Sequence, residues 1–234
     1  QGVKRTLKDG YGIEISDEEA QQFVERFSGM YPELFEWIDG IHERLKAKGK
    51  VTSPFGRVRN LREAMLHCER GDKETWRKIS RALRQGMNSI IQGAASDLTL
   101  TALILIHEEF RRRKMQAVLV LTVHDSIVVD CPQSEAAEVA KIARHIMQNV
   151  HKLSASIWGE DFDWSWLKCP LISEVKIGID WANSVTYDPS DTSGKKAATI
   201  EAAVAMSRKK QVEFDLKLRT RYEKELLPCL KKAA

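Results

Sequence analysis

Val118-Leu-Val-Leu-Thr-Val-His-Asp-Ser-Ile-Val-Val-Asp130 is the stretch that decides the fold. Val118 to Val123 are almost wholly apolar and β-branched, and Ile127 to Asp130 repeat that character. Short apolar runs of this composition read as buried strands. Two of them separated by His124, Asp125 and Ser126 read as a β-hairpin, although Asp-Ser is a weaker turn signal than Asn-Gly. A hairpin tip carries an imidazole and a carboxylate on rigid strands, which is a good way to hold a metal ligand still. Asp is also a common turn residue, so the hairpin alone leaves both readings open.

The chain of 234 residues is 43% hydrophobic and 30% charged. That balance suits one large globular domain or two small ones. No uninterrupted apolar run approaches the roughly 18 residues of a membrane span. No stretch has the layout of a signal peptide, and no membrane partner is expected. Cys68, Cys131, Cys169 and Cys229 are far apart and form no C-x-x-C pair. They read as reduced thiols, neither disulfide-stapled nor zinc-binding. Net charge is +4, but eleven Lys/Arg face five Asp/Glu from Lys195 onward, so the excess lies in the tail. A basic tail hints at nucleic acid, while solvated charge is the commoner reason for one. The first residue is Gln1 and not Met, which fits a processed product or part of a longer chain.

Working outward, Ser16-Asp-Glu-Glu19 is a capping box followed by Ala20, Phe23, Val24 and Phe27 at helical spacing. Pro32 opens a second helix with the stripe Leu34, Phe35, Ile38, Ile41 and Leu45, closed by Gly49. Both stripes read as packing faces. Ser53-Pro-Phe-Gly56 is a turn. A long helix is expected from about Lys73 to about Arg113, with a core face of Ile79, Leu83, Ile90, Ile91, Leu98 and Leu105. Arg84, Asn88 and Gln92 recur every four residues and form a row about 12 Å long. Such a row can donate to base edges or sugars along a groove, and on spacing alone a solvated polar face is the favoured reading. Gly93 beside the row costs about 1 kcal/mol against Ala inside a helix, and a close backbone neighbour would explain it. After the hairpin, Ser134 is expected to cap a helix carrying Val139, Ile142 and Ile146. Val175 to Ile179 reads as a further strand, Tyr187 to Gly194 as a linker, and residues 200–227 as a charged helical tail.

Four landmarks in this order resemble the C-terminal part of a family A DNA polymerase, the DNA polymerase I type. They are Ser53-Pro-Phe-Gly-Arg57, Arg84-x-x-x-Asn88-x-x-x-Gln92-Gly93, Val123-His124-Asp125 and Gly178-x-Asp180-Trp181. The helical segment from Ile15 to Pro32 is also similar to that family's fingers. Each landmark is weak alone and the ordered set is strong. The resemblance covers roughly residues 1–187 and leaves out the tail.

The resemblance implies an α+β fold: a palm-type antiparallel sheet of the catalytic hairpin plus a C-terminal strand, backed by long helices. It implies fingers residues at 1–60, palm at 61–187, and a linker with a basic helical tail at 188–234. Asp125 would be a carboxylate ligand of catalytic Mg2+, and His124 would lie by the primer terminus. Arg84, Asn88 and Gln92 would contact DNA from the minor-groove side. Phosphoryl transfer of this kind uses two hard cations held by carboxylates.

The implied partners are primer-template DNA, dNTP, and an N-terminal polymerase segment or subunit. That segment would supply the second catalytic Asp and the dNTP-binding helix, because one carboxylate cannot hold two ions. The implied location is the cytoplasm of a bacterial or phage-infected cell. Ser126 stands where the family usually has Glu, and His-Asp-Ser also resembles the motif of single-subunit RNA polymerases. A fragment of such an enzyme, or a non-catalytic nucleic-acid-binding remnant, are the alternatives.

Overall fold

The computed structural model describes residues 2–221 and 224. It has seven α-helices among the described residues and three two-stranded antiparallel sheets. The α+β class is as read from the sequence. The chain divides into two compact units, residues 1–94 and 95–234, with the boundary inside one long helix. The fingers, palm and tail limits at 60/61 and 187/188 concern function, and this division does not bear on them.

In the first unit, α1 (Gly2–Tyr11) precedes α2 (Asp17–Met30) and α3 (Pro32–Lys48). The capping box is present: the Glu19 N–H donates to Ser16 Oγ at 3.1 Å, and the Ser16 N–H to the Glu19 carboxylate at 2.8 Å. Pro32 sits in the first turn of α3, and Gly49 ends that helix with φ +62°, a left-handed geometry that favours glycine. Ile41 and Leu45 of α3 pack with Val51, Leu61, Ala64 and Ala82 into a small core. The α2 stripe behaves differently, because Ala20 is buried but Phe23, Val24 and Phe27 are exposed, as is Leu34 at the start of the α3 stripe. Strands β1 (Lys50–Thr52) and β2 (Val58–Asn60) form a hairpin around Ser53–Arg57. α4 (Lys73–Arg112) runs unbroken through Gly93. Of its expected core face, Ile91 is exposed.

α4 is long and apolar enough, by length and composition alone, to cross a membrane. In the second unit its Ala102, Ile106 and Phe110 are packed instead against Val139, Ile142, Ile146 and Val150 of α5 (Ala136–Leu153). Onto this cluster folds the hairpin of β3 (Val118–Val123) and β4 (Ser126–Asp130), through Leu119, Ile127 and Val129. A register shift between Leu119 and Leu121 marks a bulge at Val120. The opposite face is uncovered among the described residues: Val118, Val120 and Leu121 are 53%, 55% and 47% exposed.

Two details differ from the sequence reading. The C-terminal strand is shorter, β5 (Val175–Ile177), and it pairs with β6 (Val185–Tyr187), not with the β3–β4 hairpin. Asp180 accounts for the tight return: its carboxylate accepts from the Asn183 N–H at 2.7 Å and from the Asn183 side chain. That aspartate-capped turn folds the chain back so that β5 finds its partner ten residues on. At the start of α5, Ser134 lies in a single 3-10 turn and makes no capping bond. Glu135 reaches across instead and accepts from the Gln116 and Ala117 N–H groups at 3.0 and 3.1 Å, fixing the entry to β3.

The tail is more integrated than an appendage. A short helix α6 (Ala155–Trp158) is followed by an aromatic chain through Trp158, Phe162, Trp164 and Trp166. Beyond β6, Ala197 forms a bridge with Tyr187. α7 (Ile200–Arg221) buries Ile200, Ala203 and Ser207 against β5, β6 and α5. Past Gln211 its Val212, Phe214, Leu216 and Leu218 are exposed. Tyr222, Cys229 and the rest of the expected helix up to Leu227 fall outside the described residues, apart from residue 224.

Candidate functional site

His124 and Asp125 form the two-residue turn between Val123 and Ser126, which pair directly. His124 has φ +55°. For a residue with a β-carbon that left-handed geometry costs about 1 kcal/mol, and the ordered strands on either side hold it. The turn projects both side chains from the tip. Both are exposed, and within the described residues neither makes a hydrogen bond or an ion pair. Asp125 is therefore an uncommitted carboxylate on a stiff support, the chemistry a hard cation takes. It stands by itself in one respect: the described residues contain no group of three or more His, Cys, Asp or Glu able to hold a metal ion. Ser126 is exposed too, as the first residue of β4.

Arg84, Asn88 and Gln92 belong to the first unit and lie in one line on α4, all exposed. The structure keeps the three together as a polar row. Gly93 has no crowded neighbour: a β-carbon there would meet only Ser53 Cβ, at 3.8 Å. The crowded glycine is Gly86, where a β-carbon would lie 2.2 Å from Leu45 Cδ1. Close approach is thus demanded about two turns earlier, on the face that packs against α3. Ser53 anchors its loop by several bonds: its N–H donates to the Arg57 carbonyl, its carbonyl accepts from Gly56, and its hydroxyl accepts from the Arg57 N–H. Gly56 has φ +79°, which explains the glycine of that landmark.

The fourth landmark is structural in character. Asp180 caps its turn, and the Asn183 hydrogen bonds hold its carboxyl below the usual aspartate value. Gly178 packs against the tail helix, and Trp181 is exposed. Two contributors were not legible as such in the sequence: Ser207, which holds this landmark, and Glu135, which fixes the entry to β3. No local pattern marks a serine that meets a strand about thirty residues earlier in the chain.

The sequence profile described as DNA polymerase family A matches residues 4–183. The DNA polymerase of Bacillus phage SP01 is 31% identical over 219 residues, 93% of this chain and 22% of the relative. That alignment runs past residue 183 into the tail. The thermostable DNA polymerase I of Thermus aquaticus is 31% identical over 174 residues, covering 74% of this chain and 18% of the relative. The chain thus spans about a fifth of the length of these relatives. Among solved structures, the POL domain of Pol1 from M. smegmatis, in complex with DNA primer-template and dNTP, is similar in fold. Its TM-score is 0.54 at 24% identity, over 65% of this chain and 25% of that one.

Proposed function

This chain belongs to DNA polymerase family A, and from that premise we propose that it is the palm-bearing part of a DNA-directed DNA polymerase. The reaction is template-directed transfer of a nucleotide from dNTP to a primer 3′-OH. The observation that carries the reading is that the matched residues 4–183 include a hairpin whose tip presents an unpaired Asp125 beside His124.

In this reading Asp125 is one carboxylate ligand of a two-ion site. Family A polymerases generally use Mg2+, which stabilises the attacking and leaving oxygens of phosphoryl transfer. The exposed carboxylate fits one side of such a site. The remaining carboxylate comes from a polymerase segment or subunit outside the described residues, together with the helix that grips the triphosphate. His124 lies at the primer terminus and helps hold its position. Arg84, Asn88 and Gln92 donate hydrogen bonds to the duplex from the minor-groove side, where donors reach base and sugar acceptors in any sequence. The apolar face of β3, with Val118, Val120 and Leu121, is the surface against which the strand bearing the second Asp packs. An apolar sheet face of this kind is otherwise avoided on soluble surfaces.

The test is reconstitution. The 234-residue chain alone should not extend a primed template. It should do so when mixed with an upstream polymerase segment carrying the other catalytic Asp and the dNTP-binding helix. Robust extension by the chain alone, as a monomer, overturns the shared-site reading. No extension in the mixture, with a stable complex formed, overturns the enzymatic one.

A further inference from the structure

A groove lies along α5, on residues that belong neither to the hairpin tip nor to the α4 row. Lys141, Arg144 and His145 share one helix face at spacings of three and four residues. They line a groove of about 490 Å3 whose other wall is Tyr187 and Pro189, at the end of β6. That volume is within the range of small-ligand clefts.

The Arg144 side chain is already held in place, because its Nη2 donates to the Tyr187 carbonyl at 3.1 Å. Its Nε is buried and meets no hydrogen-bond acceptor among the described residues. That nitrogen is closed to solvent, so an anion in the groove meets the exposed part of the guanidinium, which the bond to Tyr187 holds in place. Lys141 and His145 are exposed beside it, so two further donors can turn onto the same anion. Glu138 is the one acidic residue among the described residues that line the groove, and its carboxylate is engaged by Arg113. The Tyr187 and Pro189 wall supplies a surface for a ring or sugar. The basic groups occupy little more than one helical turn, roughly 6 Å, which is too short to track a nucleic-acid backbone.

We propose that this groove binds a phosphorylated small molecule of nucleotide size, its phosphate between Lys141, Arg144 and His145 and its body against Tyr187 and Pro189. The phosphate is what the basic groups recognise, and the wall distinguishes a nucleotide from free phosphate.

The experiment is calorimetric titration of the full chain, without magnesium, with deoxyadenosine monophosphate, deoxyadenosine, inorganic phosphate and a short single-stranded oligonucleotide. The monophosphate is expected to bind measurably, deoxyadenosine not at all, and inorganic phosphate more weakly than the monophosphate. Lys141→Gln, on an exposed side chain, should weaken monophosphate binding at least tenfold. Arg144→Gln should do the same, with its circular dichroism spectrum checked because Arg144 also ties down β6. Monophosphate binding that is absent, or unchanged in Lys141→Gln, overturns the proposal. So does an oligonucleotide that binds more tightly than the monophosphate and loses affinity in Lys141→Gln, since the face would then be a nucleic-acid surface. Primer-template binding by Lys141→Gln reads the polymerase assignment separately.

Discussion

Gly178 and Ser207 interlock. A β-carbon on Gly178 would lie 2.7 Å from Ser207 Oγ and 2.7 Å from the Ser184 Cα, and the same hydroxyl accepts the N–H of Ile179 at 3.0 Å. Ser207 is fully buried, so α7 is fastened to the backbone of the Gly178–Trp181 landmark. The glycine is needed because a backbone atom as well as a side chain blocks the space. Gly178→Ala should therefore destabilise the second unit by about 1–3 kcal/mol, the usual cost of overpacking. Urea denaturation followed by tryptophan fluorescence measures it, and an unchanged midpoint would show that the contact is slack.

The same contact divides the tail in two. Ala197, Ile200, Ala203 and Ser207 are buried, so removal of residues 195–234 opens the cluster of Val185 and Tyr187. Removal of residues 212–234 takes away only exposed side chains among those described. The longer deletion should give a protein that is insoluble or lower in melting temperature by several degrees. The shorter one should melt within a degree or two of the full chain. Equal melting of the two truncations would mean that the first turns of α7 contribute nothing.

Gly86 and Gln92 separate packing from surface on the same helix. At Gly86 a methyl group would strike Leu45 Cδ1 at 2.2 Å, and Leu45 is fully buried. Gly86→Ala should lower stability by about 1–3 kcal/mol, outweighing the ~1 kcal/mol of helix propensity that Ala brings. Gln92 is exposed, so Gln92→Ala should shift stability by less than about 0.5 kcal/mol. Its effect should appear in primer extension or fidelity by the reconstituted enzyme. A large loss of melting temperature with extension intact would make the polar row structural.

What could be read from the sequence was what is encoded within a few residues. The Ser16–Glu19 box, the Gly49 stop, the length of α4 and the hairpin with its His124–Asp125 tip each depend on neighbours in the chain. Strand β6 could not be read: three residues, Val185 to Tyr187, carry no period, and its pairing is set by the Asp180–Asn183 turn. The need for glycine falls at Gly86 and Gly178 and not at Gly93 for the same reason, since the crowding at Gly86 comes from α3 and that at Gly178 from α7 and Ser184. Ser134 has the right type for a helix cap, yet α5 starts without a side-chain cap, and Glu135 beside it is engaged by the strand entry at Gln116 and Ala117. At the candidate site, the carboxylate at a turn was legible, and any partner carboxylate was not, because such a site is assembled from distant segments.

Acid should loosen the linker before it reaches the cores. Asp188 is held down to about 2, first by the Ser190 side chain and backbone hydrogen bonds and then by Lys196. A carboxyl depressed on folding contributes stability above its unfolded value, 3.8, and loses it as pH falls through the folded one. The window is thus from about 4 down to about 2. Asp188→Asn should remove the part of the acid sensitivity of α7 docking that falls in that window, and should lower protection at pH 7 by the same modest amount, since Lys196 and Asp188 are both partly exposed. Hydrogen exchange of the Ala197 and Ala203 amides, compared at pH 4 and pH 2.5 after correction for intrinsic rates, measures it. Identical pH dependence in wild type and variant would dismiss the clamp.

Asp125→Asn tests the proposed chemistry most directly. The substitution keeps the size and shape of the tip, and the side chain is exposed with no partner to lose, so stability should move by less than about 0.5 kcal/mol. The charge is what goes. An amide is a much poorer ligand than a carboxylate for a hard cation, and stabilisation of the developing charge in phosphoryl transfer is worth several kcal/mol. Nucleotide incorporation by the reconstituted enzyme should therefore fall at least about a thousandfold, equivalent to roughly 4 kcal/mol, while primer-template binding persists. Ser126→Ala should be mild by comparison, because Ser126 is a neutral residue beginning β4 and its hydroxyl is a weak ligand. Incorporation by Asp125→Asn within tenfold of wild type in Mg2+ would remove Asp125 from the metal site. A Ser126→Ala loss as deep as that of Asp125→Asn would show that the serine, and not only the aspartate, carries the role that the family usually gives to Glu.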